Sequence, residues 1–327
     1  MPVFTRSFDI NSLAKWDEGC PDNAVRLLFK RWALPGEMVT GVAPLRLAIR
    51  RGYINFYAKG QSVAKLEVVR GCPRLSVHNA YVVGRLKDDG PPLEGYKHFD
   101  SDALADPATA ALVDGWTKTA LSYASAEKRF VDDLVAANPG IIDLEMGLPA
   151  SDLPDSGRVA PRMDLVIAQL AEDAPPSIAF WEAKCANNKE LRVTGNGKPH
   201  VLDQVEKYVR WMAESGRIAE VQSAYRETAA ILLELYRLFR SVDGATPESV
   251  RIWQVLAATV TPTIIVQPGI VIGNYWPEGY TEKIASGRMA QFAASFATNG
   301  HRKKIAAAGV RVHEVGPDHE SAKLPIL

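Results

Sequence analysis

The chain has 327 residues, and 38 Lys and Arg balance 38 Asp and Glu, so its formal net charge is zero. That length accommodates two modest domains or one large one, and the neutral balance excludes a polycation, so any grip on nucleic acid has to come from local patches. Cys20, Cys72 and Cys185 fit neither a zinc spacing nor a disulfide framework, which points to a reducing, cytoplasmic setting; no window reaches the roughly 20 apolar residues of a membrane span, and Met1 to Asp22 lacks the apolar core of a signal peptide.

Residues 1–35 read as a mixed lead-in with a brief helix over Ala24 to Trp32, its Val25, Leu28 and Phe29 inward. Period-two patterning follows over Leu45 to Arg50, Tyr53 to Ala58 and Ser62 to Arg70, with turns at Arg51-Gly52 and Lys59-Gly60. This is the pattern of a β-meander. Leu75 to Val77 and Ala80 to Val83 extend it as further short strands. Residues 86–108, with Asp88-Asp89-Gly90-Pro91-Pro92 and Asp106-Pro107, read as a linker.

Beyond it the period changes to that of a helix over 110–137, through Leu112, Trp116, Tyr123, Phe130 and Leu134, ended by Asn138-Pro139-Gly140. Strands are expected over Ile141 to Leu148, Arg162 to Leu170 and Ser177 to Cys185. Helices are expected over Pro199 to Glu214 and Ile218 to Val242. A buried strand over Thr263 to Ile272, broken at Pro268-Gly269, a helix over Thr281 to Thr298 and a strand over Val310 to Val315 complete the series. The order α-β-β-β-α-α-β-α-β gives an α/β fold class with three layers and a mixed central sheet.

The chemistry concentrates at two strands. Asp164 lies in one, and Glu182-Ala183-Lys184 begins 18 residues later in the next. Residues two apart on a strand share a face, so Glu182 and Lys184 point together, and hairpin pairing brings Asp164 beside Glu182. Two carboxylates and an ammonium then meet at a sheet edge. Hard oxygen ligands of this kind suit Mg²⁺ (Mn²⁺ as substitute), which binds through one or two carboxylates, waters and substrate phosphate. A bound metal activates water, and an ammonium holds that water or offsets developing charge. The plain alternative is a salt bridge. Glu182-Ala183-Lys184 is, however, the only acid-x-Lys triplet in the chain, and charges are seldom buried in an apolar strand such as Ile178-Ala179-Phe180-Trp181 unless something requires them.

The segment Arg158-Val159-Ala160-Pro161-Arg162-Met163-Asp164, together with Phe180-Trp181-Glu182-Ala183-Lys184, resembles the core of the PD-(D/E)XK nuclease superfamily over about residues 118–275. Pro161 stands three residues before Asp164, where the strict motif has the two adjacent. The resemblance implies a restriction-endonuclease-like core at 109–327, following an N-terminal β-rich module at 1–108. It implies a Mg²⁺-dependent deoxyribonuclease that leaves 5′-phosphates, with Asp164, Glu182 and Lys184 catalytic. Several branches carry a glutamate on the first helix. Glu127 matches it as a further catalytic and metal-ligating acid, or else it is a core-edge salt-bridge partner.

Gln204 and Tyr208, at i and i+4 on the next helix, resemble the Gln-x-x-x-Tyr element of RecB-like exonucleases. They then contact DNA or brace the lysine, or are a plain helix pair. The polar loop 187–198 offers Lys189 and Arg192 to the phosphodiester backbone, or is a solvated connection. In the meander, Arg46, Arg50, Arg51, Lys59, Lys65, Arg70 and Arg74 interleave with Tyr53, Phe56 and Tyr57. Nucleic-acid binding, docking of a partner protein or homodimer, and mere solvent exposure all fit that pattern. The rival to a nuclease is a catalytically inactive subunit of the same fold that binds nucleic acid or assembles; a two-carboxylate glycosidase leaves Lys184 without a role.

Overall fold

The computed structural model describes residues 3–39, 43–90, 93–149, 162–172, 174–192, 197–240, 245–258, 261–273, 301–316 and 322–326. Within them the chain forms ten helices and two sheets, one antiparallel and one mixed. No helix among the described residues is long and apolar enough to cross a membrane.

The first part opens with helices α1 (Ile10–Glu18) and α2 (Ala24–Lys30), each started by a side-chain cap, Asp9 and Asn23 respectively. Strands β1 (Arg46–Ile49), β2 (Tyr53–Ala58), β3 (Gln61–Val69), β4 (Cys72–His78) and β5 (Tyr96–Phe99) follow and pair antiparallel in chain order. The two-residue loops Lys59-Gly60 and Arg70-Gly71 have positive φ at both positions, the backbone that lets a tight hairpin follow the strand twist. Gly60 is also needed for space: a Cβ there would lie 2.5 Å from the Lys128 carbonyl oxygen. One face of this sheet, with Ile54, Phe56, Leu66 and Leu75, is core. The opposite face carries Tyr53, Asn55, Lys65 and Glu67, in register across β2 and β3.

Several sequence expectations are corrected here. Ala80 to Val83 is not a strand: His78 accepts from the Ala80 N–H and starts helix α3 (Asn79–Val82). The expected linker 86–108 contains β5, which completes the sheet edge on β4, and α4 (Ser101–Ala105), capped by Asp100. The single helix over 110–137 is two, α5 (Pro107–Ser122) and α6 (Ala126–Ala137). The chain breaks at Tyr123, and Ser125 accepts the Lys128 N–H to begin the second. The terminal helix expected over 281–298 lies outside the described residues.

The second sheet is built from β6 (Ile141–Gly147), β7 (Arg162–Ala171), β8 (Ala174–Cys185), β9 (Thr263–Ile264), β10 (Gly269–Gly273) and β11 (Val312–Val315). Its order is β11-β10-β8-β7-β6, with β9 also on β8. The β6–β7–β8 hairpins are antiparallel; β9 and β10 both join β8 in parallel, and β11 joins β10 in parallel. The expected strand over 263–272 is therefore two short ones, each against a different stretch of β8. Helix α6 packs on one face through Phe130, Leu134 and Val135, against Trp181 and Ala183. Helices α7 (Val201–Met212), α8 (Arg217–Phe239) and α9 (Glu248–Ala257) take the other, with Phe180 and Val166. The short α10 (His301–Ala307) covers Ile270 and Ile272 together with α7.

The two sheets share a core. Phe29 stacks on Phe239 at 4.0 Å, Trp32 on Trp253 at 6.0 Å, and Phe4 meets Trp211 edge-on at 5.7 Å. Buried ion pairs reinforce the join. Arg6 Nη2 donates to Asp143 Oδ2 at 2.8 Å and Arg50 donates to the other oxygen. Arg46 and Lys59 each reach Asp132 at 3.3 Å. Arg46 and Arg50 are thus buried clamps within the fold, not the surface cations that the meander pattern suggested.

Candidate functional site

β8 runs through the middle of the second sheet, flanked by β7 and β10, which is why almost all of it is buried. Its alternation sorts the chemistry. Ala179, Trp181, Ala183 and Cys185 pack toward α6, and Phe180, Glu182 and Lys184 face the α7 side, beside Ile270 and Ile272 of β10. Glu182 is 2% exposed and Lys184 4%. The register Leu165↔Trp181 on β7 and β8 sets Asp164 next to Glu182 on the same face. The Ala183 N–H donates to Asp164 Oδ2 at 2.8 Å, fixing the carboxylate over the strand. Lys184 Nζ donates to Glu182 Oε1 at 2.6 Å and lies 3.1 Å from Glu190 Oε2. Asp164, Glu182 and Lys184 thus share one face, but in the middle of the sheet and not at the sheet edge that the sequence suggested, because β10 pairs with β8 on the side away from β7.

The electrostatics are those of a crowded buried site. Burial raises the Asp164 carboxyl to about 6, with Glu127 and Glu145 adding to the rise against the pull of Lys184 and the Ala183 N–H. Burial and then the Asp164 charge push Glu182 well above the usual carboxylate range, against Lys184. For Lys184, burial works against the charged form, but Glu182, Asp164 and Glu127 outweigh it and hold the ammonium. Burial drives the neighbouring Cys185 thiol up to about 12, so it is no nucleophile. Two acids forced upward beside one fixed cation is the arrangement that a further cation would relieve.

Whether the residues fit a divalent metal turns on their free valence. Glu182 Oε2 is buried and has no hydrogen-bond partner. An orphaned carboxylate oxygen in such a place is costly unless something completes it. Among the described residues no group of three or more His, Cys, Asp or Glu side chains gathers as a ready-made metal cage. Mg²⁺ does not need one: it commonly takes one or two carboxylates and keeps its waters. The pair Asp164 and Glu182 fits that donor set.

The remaining expected residues divide. Glu127 is half-buried in the first turn of α6, not on a continuous apolar face with Tyr123, which caps α5. Its Oε2 accepts from Asn188 Nδ2 at 2.7 Å, and its charge bears on Asp164, Glu182 and Lys184. Tyr208 is 1% exposed and packs its ring 4.9 Å from Phe180, beneath the face that carries Glu182. Buried this deeply, it does not reach out to a phosphate. Its hydroxyl and Gln204 Oε1, one turn earlier, are both buried without partners. Lys189 is exposed at the start of a 3₁₀ turn (Lys189–Leu191). Arg192 donates to the Asn188 and Ala186 carbonyls at 2.8 Å each, which braces the loop after β8. Residues 193–196 of the loop lie outside the described residues.

Three residues near the site escaped the sequence reading. Asn188 ties Glu127 to the loop and also caps the Glu190 N–H at 2.9 Å. Glu190 supplies the second carboxylate to Lys184. Glu145 of β6 sits between the pairs Leu144↔Leu165 and Met146↔Met163, opposite Asp164. Its φ of 47° is left-handed, a strain of roughly 1–2 kcal/mol for a non-glycine residue. A signal existed: Asp143 and Glu145 interrupt an apolar strand two residues apart, as Glu182 and Lys184 do.

No protein-family model matches the chain, and neither does any curated protein or solved structure.

Proposed function

We propose that the chain is a Mg²⁺-dependent deoxyribonuclease whose second sheet and flanking helices form a restriction-endonuclease-like core of the PD-(D/E)XK type. The observation that carries this reading is the buried Glu182 carboxylate, with one oxygen on Lys184 and the other unpartnered, beside Asp164. Asp164 and Glu182 would hold Mg²⁺ (or Mn²⁺), with Glu127 as an accessory acid near the same position. When bound, the metal supplies a nucleophilic water at neutral pH and stabilises charge on the phosphate.

The chain's own groups do the rest. Lys184, kept charged by three acids, positions the attacking water and offsets charge on the phosphorane-like transition state. Glu190 and Glu182 hold that ammonium in place. Gln204, with a buried free carbonyl oxygen on the helix that covers this face, positions a donor such as a bound water, and Tyr208 fixes Phe180 beneath it. Lys189 meets the DNA backbone, and Arg192 shapes the loop that carries it. Products with 5′-phosphates follow from the family resemblance. Free thiols at Cys20, Cys72 and Cys185 accord with a reducing, cytoplasmic setting.

The test is cleavage of circular and linear DNA with Mg²⁺ or with chelator. Wild type should cut only with metal, and Asp164→Ala, Glu182→Ala and Lys184→Ala should each lose at least about a thousandfold. Cleavage by folded Lys184→Ala at the wild-type rate overturns the assignment; loss of circles marks an endonuclease, and their survival an exonuclease. A second reading, a catalytically inactive subunit of the same fold, draws on the ammonium–carboxylate pair that Lys184 and Glu182 close on themselves. Mn²⁺ calorimetry separates the two: equal heat from wild type and Asp164→Ala, or none from either, favours the inactive subunit.

A further inference from the structure

The polar face of the first sheet meets the start of the second in a cleft of about 550 Å³. Five cations line it, Arg6, Arg50, Arg51, Lys65 and Arg162, against Glu145 on the wall and Asp143 beneath Arg6 and Arg50. In a chain of zero net charge this is a strong local excess. Arg6 and Arg50 are held rigidly by Asp143 and form the floor. Arg51 and Lys65 have no carboxylate partner among the described residues, so their charge is available to a ligand.

Aromatic rings stand among these cations. Lys65 Nζ lies 5.9 Å from the Tyr53 ring centre and 5.1 Å from that of Tyr96, and Tyr96 is 47% exposed on the edge strand β5. An exposed ring in a basic groove offers a π-face to a base and the adjacent cation to its phosphate. Bases inside a duplex have their faces covered by their neighbours, so such rings favour an unpaired strand.

The cleft also leads somewhere. Arg162 and Glu145, 3.6 Å apart, are part of its wall. Arg162 lies two residues before Asp164 on β7, and Glu145 sits across from Asp164 and bears on its charge. The wall of the cleft therefore adjoins the stretch of β7 that carries Asp164.

We propose that this cleft binds single-stranded DNA flanking the cleavage point, with Arg51 and Lys65 on its phosphates and Tyr53 and Tyr96 stacked on its bases. The inference rests on the nuclease reading for what the strand is delivered to, but the binding itself does not.

The test is fluorescence anisotropy of a fluorescein-labelled oligo-dT and of a labelled duplex of equal length, with the full chain and chelator present so that nothing is cut. Wild type should bind oligo-dT more tightly than duplex. Arg51→Glu with Lys65→Glu should weaken oligo-dT binding by tenfold or more, and Tyr53→Ala with Tyr96→Ala by about fivefold or more, whereas Lys118→Glu, an exposed change on α5 away from the cleft, should shift it less than twofold. Absence of oligo-dT binding by wild type, equal affinity for duplex, or cleft variants indistinguishable from Lys118→Glu overturns the proposal. Asp164→Asn separates the two readings: intact binding with no wild-type cleavage leaves the cleft standing and removes the nuclease. Metal-dependent cleavage that the cleft variants leave untouched does the reverse.

Discussion

Asp143 is a carboxylate 1% exposed that receives two guanidinium groups and the Tyr225 hydroxyl, the last at 3.2 Å. Burial alone would raise it, but Arg50 and Arg6 outweigh burial and hold it below the ordinary range. A carboxyl depressed on folding contributes stability that is present above its unfolded value of about 3.9 and is lost as pH falls through the folded value. Asp143→Asn strands two buried arginines, so we expect it to cost about 3–5 kcal/mol at pH 7. The gap from wild type should narrow below pH 4, and urea unfolding at both pH values would expose a constant gap if the idea is wrong. At the candidate site the signs reverse, because Asp164 and Glu182 sit above their ordinary range. A divalent cation should therefore stabilise the fold: at tenfold over its dissociation constant, Mg²⁺ should add about 1.4 kcal/mol, roughly 2 °C in Tm. Chelator should remove that increment from wild type, and Glu182→Gln should never show it; an equal shift in the variant would place the ion elsewhere. These residues were legible to different degrees for a physical reason. Glu182 and Lys184 stand out because charge in an apolar strand is costly and rare, whereas Asn188 and Glu190 have ordinary surface composition and gain a role only through the folded loop around them.

Among the elements, those with their own periodicity were readable and those defined by a partner were not. β2, β3, β7, β8, α7 and α8 carry alternating or helical patterns over six residues or more, and the structure follows them. α3 and β5 are four residues each, set by the His78 cap and by pairing with β4, and no window that short carries a period. The split of α5 from α6 hung on Ser125, whose capping role a continuous apolar series conceals. β9 and β10 exist as strands because β8 presents free edges in two places, a fact of tertiary structure. β10 also shows how tightly the site's back wall is drawn. Gly269 pairs with Trp181, and a Cβ there would fall 2.4 Å from the indole. Because the ring is fully buried and flanks Glu182, it has nowhere to turn. Gly269→Ala should cost about 1–3 kcal/mol through overpacking and reduce Mg²⁺-dependent cleavage along with stability. An unchanged urea midpoint would mean that β10 yields more easily than this packing implies.

For the whole molecule, the decisive feature is that the first sheet and the second are sealed by one apolar core rather than joined through a tether. Phe29 and Trp32 of the first part stack on Phe239 and Trp253 of the second. Phe56, Leu66 and Leu75 belong to the same core cluster as Phe180, Tyr225 and Leu235. Arg6, Arg46 and Arg50 then supply the charges that Asp132 and Asp143 need. Removing residues 1–108 would expose several of these large side chains, each worth about 1.5–3 kcal/mol of burial, and leave Asp143 buried without its cations. That loss rivals the entire stability of an ordinary domain, about 5–15 kcal/mol. The full chain should therefore unfold in a single transition, by calorimetry and by Trp fluorescence alike, and a fragment spanning residues 109–327 should give neither a cooperative transition nor cleavage. A fragment that melts within a few degrees of the full chain would show that the shared core contributes little and that the second sheet folds by itself. The same coupling bears on function: β6 carries Asp143 toward the first sheet and Glu145 toward Asp164. A ligand held by Arg51 and Lys65 above that buried clamp binds only the folded chain, so the Tm of the full chain should rise with oligo-dT in chelator even though no metal is bound.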